Sequence, residues 1–285
     1  MSAVAVDIGH FREWIGRTET RTDQVTPVPM AAMSATLDRD DPAPVPGTAV
    51  PPMWHWLYFL PISPLAEAGP DGHPKRGGFL PPVPLPRRMF AGGRLEYHRD
   101  LGVGDTITRT SRILDVSGKA GRSGTLVFVT VRHEIAGPAG LAMSEEHDIV
   151  YRDNPVPGAQ AGKPVPAPAG EAFSREIAPD PVLLFRYSAL TLNSHRIHYD
   201  RSYVTQVEGY PGLIVHGPLI ATLLADLWRR QQPDARLRRF EFRAVRPLFD
   251  IHRFTVCGRQ DGGRVALWSR DHEGWLTMEA TAELV

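Results

Sequence analysis

The chain reads as an α+β protein made of two similar halves, and three observations carry that reading. Each half has helical periodicity early and alternating, strand-like segments after it. A stretch of Pro, Gly, Ala and Gln at 156–170 holds almost no large apolar residue and reads as a linker between the halves. Short segments also recur at matching places. Asp105-Thr106-Ile107-Thr108 opens a strand much as Asp250-Ile251-His252-Arg253 does, and Gly140-Leu141-Ala142-Met143 resembles Gly274-Trp275-Leu276-Thr277-Met278. A helix followed by antiparallel strands, repeated, implies in each half a sheet wrapped on a helix. The expected domains are 1–155 and 171–285.

From the N-terminus, Phe11, Trp14 and Ile15 have the spacing of a short amphipathic helix. A second helix is expected between Asp23 and Leu37, with Val28, Ala31, Ala32 and Ala35 on one face. Asp23 is its candidate cap, and Pro27 and Pro29 make it start late. From Asp40 to Pro86 prolines interrupt every run. The aromatic run Met53 to Leu60 belongs in a core or a pocket wall, and the loop Pro70 to Pro86 is long enough to cover a binding site. Strands are expected at Arg94 to His98, Asp105 to Val116, Gly124 to Ile135 and Leu141 to Tyr151.

In the second half, Asp180-Pro181 starts a helix with Leu183, Leu184, Tyr187 and Leu190 on one side. Gly217-Pro218 opens another, where proline's missing N–H costs nothing. Its face is Leu219, Ile220, Leu223, Leu224, Leu227 and Trp228, and Pro233 ends it. Strands are expected at Leu237 to Val245, Ile251 to Gly258, Arg264 to Ser269 and Trp275 to Leu284.

Composition narrows the function. With 285 residues, 42% of them hydrophobic, the chain has enough apolar material for real cores. Lys+Arg and Asp+Glu both total 32, so no net charge favours nucleic acid or an anionic membrane as partner. No segment reaches the ~18 apolar residues of a membrane span. Acidic Asp7 and Glu13 at the start argue against a signal peptide. Cys257, the only cysteine, excludes an intramolecular disulfide and reads as a small buried side chain in a strand. A reducing cytoplasm is the expected setting.

The chemistry concentrates in Leu190-Thr191-Leu192-Asn193-Ser194-His195-Arg196-Ile197-His198-Tyr199-Asp200, followed by Val215-His216-Gly217-Pro218. Imidazole moves protons near neutrality, an amide fixes a water or a carbonyl, and a glycine N–H at a helix start meets developing negative charge. Two histidines in a polar loop also serve as surface groups or metal ligands. A zinc site from His195, His198 and Asp200, with or without His216, lacks the spacing of known metal motifs, so no metal is expected. No Gly-x-Ser-x-Gly elbow is present. Asp200 is expected to cap the next short helix.

This segment resembles the hydratase segment of the MaoC-like, R-specific enoyl-CoA hydratases, which read Asp-x-Asn-Pro-[Leu/Ile/Val]-His and, after a similar interval, His-Gly. The variant here is closer to their two-domain subgroup of hydroxyacyl-thioester dehydratases and mesaconyl-C4-CoA (3-methylfumaryl-CoA) hydratases. Trp54-His55-Trp56-Leu57-Tyr58-Phe59 and Gly77-Gly78-Phe79-Leu80-Pro81-Pro82 also look typical of it, so the resemblance spans nearly the whole chain. It implies a double hot-dog fold and reversible hydration of an enoyl thioester on CoA or a carrier, with no cofactor and a homodimeric assembly. It assigns His198 as the catalytic histidine and Gly217 as the donor to the thioester oxygen. Asn193 stands where these hydratases have aspartate, and His195 where they have asparagine, which moves most proton transfer onto His198. His195, His216 and Trp54 are expected around the substrate. Arg186 and Arg196, with Arg201 nearby, are candidates for a substrate carboxylate or the CoA phosphates. The first half lacks the motif and is expected to be catalytically silent while shaping the acyl pocket. Thioester hydrolysis and acyl-thioester binding without turnover are the alternatives.

Overall fold

The computed structural model describes residues 6–121, 124–154 and 163–285. The N-terminal half runs α1 (Ile8–Phe11), β1 (Thr18–Gln24), α2 (Pro27–Thr36), β2 (Arg87–Tyr97), β3 (Thr106–Gly121), β4 (Gly124–Gly137) and β5 (Gly140–Arg152). The C-terminal half runs β6 (Phe173–Ile177), α3 (Pro181–Leu190), α4 (Arg201–Gln206), α5 (Gly217–Gln231), β7 (Leu237–Ala244), β8 (Phe254–Asp261), β9 (Arg264–Arg270) and β10 (Leu276–Leu284).

All ten strands form one antiparallel sheet in the order β1-β3-β4-β5-β2-β7-β10-β9-β8-β6. The order is palindromic: β1 answers β6, β3 answers β8, β4 answers β9 and β5 answers β10, with β2 and β7 meeting at the centre. This is the tandem hot-dog plan, and it places the two recurring sequence segments at equivalent strand starts. At the seam, Gly92 and Gly93 lie opposite Arg243 and Phe242. A Cβ on Gly92 would come within 2.5 Å of the Phe242 carbonyl oxygen, so only glycine lets β2 approach β7 this closely.

The helices carry the asymmetry. Residues Leu219 to Trp228 of α5 are all buried against the C-terminal strands. Its leucines, isoleucine and tryptophan each contribute roughly 1.5–3 kcal/mol of burial. The equivalent space in the N-terminal half holds no long helix. Between α2 and β2 the proline-rich chain makes only two 3-10 turns, Trp54–Leu57 and Leu65–Glu67. Asp226 on α5 joins the halves. Its carboxylate is buried and accepts from Arg39 at 2.7 Å, Arg230 at 2.8 Å and Arg175 at 3.4 Å.

Some elements differ from expectation. Asp23 does not cap α2; it lies on β1, and its carboxylate accepts the Phe59 N–H at 2.7 Å. Thr26 holds the cap position without a side-chain bond. β1 and β6 are edge strands: β1 is polar and mostly exposed, and β6 is only five residues long with three polar residues between Phe173 and Ile177, too short to read as a strand. Of the linker, 156–162 lie outside the described residues. Beyond them the chain runs against the start of β10, through Ala167 N–H to the Gly274 carbonyl at 3.0 Å.

Candidate active site

The motif loop is held from both ends. Asp180 caps α3 by accepting the Leu183 N–H at 2.9 Å. Leu192 then takes a left-handed backbone conformation (φ 47°), and Asn193 N–H returns to the Ser188 carbonyl at 2.8 Å. A 3-10 turn, Arg196–His198, follows, and Asp200 caps α4 as expected, accepting the Tyr203 N–H at 3.0 Å. Ile214 comes back alongside, its N–H bonded to the Ile197 carbonyl at 3.0 Å. This return strand delivers His216 and Gly217 next to His198.

His198 is buried, and its Nδ1 lies 2.7 Å from the Ile214 carbonyl oxygen. A carbonyl only accepts, so Nδ1 carries the proton and Nε2 keeps its lone pair for chemistry. His216 stacks on it face to face, ring centroids 3.6 Å apart and planes at 18°, and pairs with Ser188 Oγ at 2.8 Å. Burial pushes the His198 pKa down to about 4 even though the Ile214 carbonyl acts in the opposite direction. Burial, then the neighbouring His198, holds His216 well below the ordinary imidazole range. Both rings are neutral at physiological pH. The Asn193 side-chain oxygen accepts the His195 N–H at 3.1 Å, which leaves its NH₂ free to donate. Gly217 is the first residue of α5, so its N–H has no intrahelical acceptor. A Cβ there would lie 3.1 Å from the Phe90 ring, which covers the glycine from the N-terminal half.

A cavity of about 600 Å³ opens beside this loop, in the space a second long helix would fill. Tyr187, Asn193, Ser194 and Pro218 line it from the C-terminal half. Trp56, Tyr58, Phe59, Arg88, Phe90, Arg109 and His147 line it from the N-terminal half, and His73 and Pro74 of the long loop cover it as anticipated. Gly217 adjoins the lining residue Pro218, and His195 adjoins Ser194.

The profile of the hydroxyacyl-thioester dehydratase type 2 family matches residues 53–250. The chain belongs to this family. It is 46% identical over 274 residues to the mesaconyl-C(4)-CoA hydratase of Chloroflexus aurantiacus, covering 95% of this chain and 96% of that protein. It is 27% identical to a mitochondrial hydroxyacyl-thioester dehydratase type 2 of Schizosaccharomyces pombe, over 78% of this chain and 80% of the relative. Among solved structures, a MaoC-like dehydratase from Phytophthora capsici superposes with a TM-score of 0.69 at 16% identity, covering 98% of each chain. A double hotdog protein from Mycobacterium tuberculosis superposes at 0.53 and 13% identity, covering 95% of this chain and 96% of that one.

Within this family member the remaining sequence-picked residues divide sharply. Trp54 does not face substrate space. It is buried in the core under the Arg229 guanidinium, 5.3 Å away, and its neighbour Trp56 lines the cavity instead. Arg186 is exposed on α3, away from the cavity lining. Arg196 is spent on structure: it holds Asp200 at 3.0 and 2.7 Å and the Pro70 carbonyl at 3.1 Å, and it covers Tyr203. Arg201 pairs with Asp250. His195 packs on His73, centroids 4.0 Å apart, and His73 Nδ1 meets Asp71 at 3.2 Å. Donor atoms of these three side chains lie within 4.8 Å of one another. The Asp71 carboxylate already accepts the His73 ring and backbone N–H, however, so the group is a hydrogen-bonded pair with a stacked ring.

The polar groups that sequence reasoning missed sit on the inward face of the N-terminal sheet. Ser111, His133 and Glu145 lie directly across from one another on β3, β4 and β5. His133 Nδ1 is 2.8 Å from Ser111 Oγ, and Glu145 accepts from His55 and the Trp56 indole, each at 3.1 Å. Burial works against the Glu145 charge, but the His55 hydrogen bond keeps its pKa low, at about 2. The available signal was ionisable residues at every second position of strands whose other face is solvent.

Proposed function

We propose that this hydratase acts on a branched enoyl thioester bearing a second carboxylate, of the mesaconyl-C4-CoA kind, with Asn193, His198 and Gly217 as its catalytic groups. The protein is a hydro-lyase that reversibly hydrates and dehydrates acyl thioesters. The observation that carries the catalytic assignment is the His198 ring, fixed by the Ile214 carbonyl with Nε2 free and stacked on His216, the residue before the uncapped Gly217 N–H.

In hydration, Gly217 N–H donates to the thioester oxygen, with the positive end of the α5 dipole behind it. Asn193 donates its free amide N–H to the water oxygen, and the water O–H donates to His198 Nε2. As oxygen bonds to the β-carbon, the double-bond electrons move onto the carbonyl as an enolate and His198 takes the water's proton. The imidazolium then returns a proton to the α-carbon. Stacked on neutral, buried His216, that imidazolium is disfavoured and gives up its proton readily. Dehydration is the reverse.

Two observations support the dicarboxylic substrate: the name of the Chloroflexus relative, and the three arginines (Arg21, Arg88, Arg109) that line the cavity. The N-terminal half contributes the acyl pocket and no proton-transfer group. The carrier is CoA, the setting cytoplasmic and the assembly a homodimer, with light scattering as the check on the last. The test of function is loss of enoyl-thioester absorbance from mesaconyl-C4-CoA and crotonyl-CoA, with a thiol reagent present. Thiol release without hydration would replace this reading with a thioesterase.

A further inference from the structure

The motif-proximal arginines are spent on Asp200, Asp250 and solvent, which leaves open what meets a substrate carboxylate. The chemistry of a mesaconyl-type group restricts the answer. Its carboxylate sits on the β-carbon, the atom that water attacks, three bonds or about 4 Å from the thioester carbonyl carbon. The cation that binds it must therefore lie beside Asn193 and Gly217 and not deep in the cavity.

Two half-buried arginines on the N-terminal strands compete. Arg109 on β3 lies over Phe59, with Glu19 at 4.0 Å. β3 is separated from β2 by β4 and β5, three strand spacings or about 14 Å across the sheet. That is too far for this short acyl group. Arg88 is on β2, two positions from Phe90 and on the same face, and Phe90 is the ring that abuts Gly217. Arg88 lines the cavity together with Asn193, Ser194 and His73. Among the described residues, no carboxylate lies within 4 Å of its guanidinium, whereas Arg87 beside it holds Glu208 at 3.2 Å. The side-chain partner of Arg88 is the Tyr151 hydroxyl, a neutral group, so this half-buried guanidinium keeps an uncompensated charge suited to capture of a carboxylate.

We propose that Arg88 binds the carboxylate on the β-carbon of the substrate and makes strand β2 the specificity element of the site. This rests on the hydratase reading above. The role goes beyond affinity. A carboxylate on the attacked carbon repels the incoming water oxygen and opposes charge moving into the enolate, so its neutralisation lowers the barrier as well as KM.

The test compares wild type, Arg88→Met, Arg88→Lys and Arg109→Met on mesaconyl-C4-CoA and crotonyl-CoA, which lacks the carboxylate. The readout is the ratio of the two kcat/KM values, which a merely structural defect would not move. Arg88→Met should lower the ratio about a hundredfold, through both kcat and KM, and Arg88→Lys should recover part of it. Arg109→Met should move the ratio much less. An unchanged ratio in Arg88→Met, or a larger change in Arg109→Met, overturns the assignment. A wild type that hydrates neither thioester overturns the hydratase reading and this proposal together, whatever the variants do.

Discussion

Beneath β7 to β10 lies α5, ten of its residues buried in succession, whereas the matching space beneath β2 to β5 is a cavity walled by His55, Trp56, Arg109 and His147. One sheet plan thus supports two interiors. The C-terminal half uses its helix for packing, and the proposed chemistry falls at the start of that helix. The N-terminal half gives up the helix and with it much apolar burial. Part of that loss is offset by a second apolar cluster, in which Val83 and Leu85 of the long loop pack on Ile113, Val127, Val129 and Tyr151. The polar groups left facing inward are kept soluble in the protein by one another, as Glu145 is by His55 and Trp56. On the proposed reading, a hot-dog half without its helix serves as a substrate chamber, and the intact half beside it supplies the reacting groups.

If the division of labour is real, proton transfer resides in the C-terminal half alone. His198→Ala should lower kcat for hydration about a thousandfold, measured by loss of enoyl-thioester absorbance. Wild-type-like turnover would break the comparison, because the acid–base group would then have to come from the N-terminal wall.

The next effect is on stability. Asp226 in one half and Glu145 in the other are buried carboxylates, one surrounded by arginines and the other by a histidine and an indole. Asp226→Ala leaves Arg39, Arg175 and Arg230 facing one another without their common acceptor. It should cost about 3 kcal/mol or more, read from a denaturant or thermal melt. A loss near zero would mean that the arginines reach water and that the halves are not tied through α5.

Asn193→Ala should lower kcat about tenfold, the value of one hydrogen bond to the water, with little change in KM. If Asn193→Ala instead matches His198→Ala, the amide is not merely orienting the water and the single-histidine mechanism fails.

How much of this was legible in the sequence follows from the same asymmetry. Helix α5 and strands β3 to β5 and β7 to β10 announce themselves because one face is apolar and the other polar, so period 3.6 and period 2 survive. β1 and β6 do not, since edge strands such as Thr18–Gln24 bury little. The proposed trio could be named from the sequence because its residues are close together and carried by a motif. The chamber was not. Arg109, His133, Glu145 and His147 come from three strands and point inward, where an alternating charge is ordinarily read as a solvent face. Trp54 and Trp56 show the limit at its finest. Two residues apart on one 3-10 turn, the first enters the core and the second lines the cavity.

The last effect is spread over both halves and concerns acid. His198 in one half and His133 in the other are held by burial below the ordinary imidazole value, to about 4 and about 3; for His133 the Glu145 charge acts the other way. A depressed pKa in the folded state means that the unfolded chain takes up the proton first. The stability these rings contribute is complete above about pH 6.5 and is lost as pH falls from there toward the folded values. Within that window each ring costs ~1.4 kcal/mol per pH unit, so Tm at about pH 5.5 should lie several degrees below Tm at about pH 7.5. The hydration rate follows a different course. It needs only neutral His198, so its acid limb belongs near pH 4, well below the onset of destabilisation, and initial rates after a brief pH jump separate the two. Replacing His133 by Asn should flatten the stability profile without shifting that limb. A shift of the limb in His133→Asn would show that the chamber wall and the catalytic ring titrate together, and the two interiors could no longer be treated as independent.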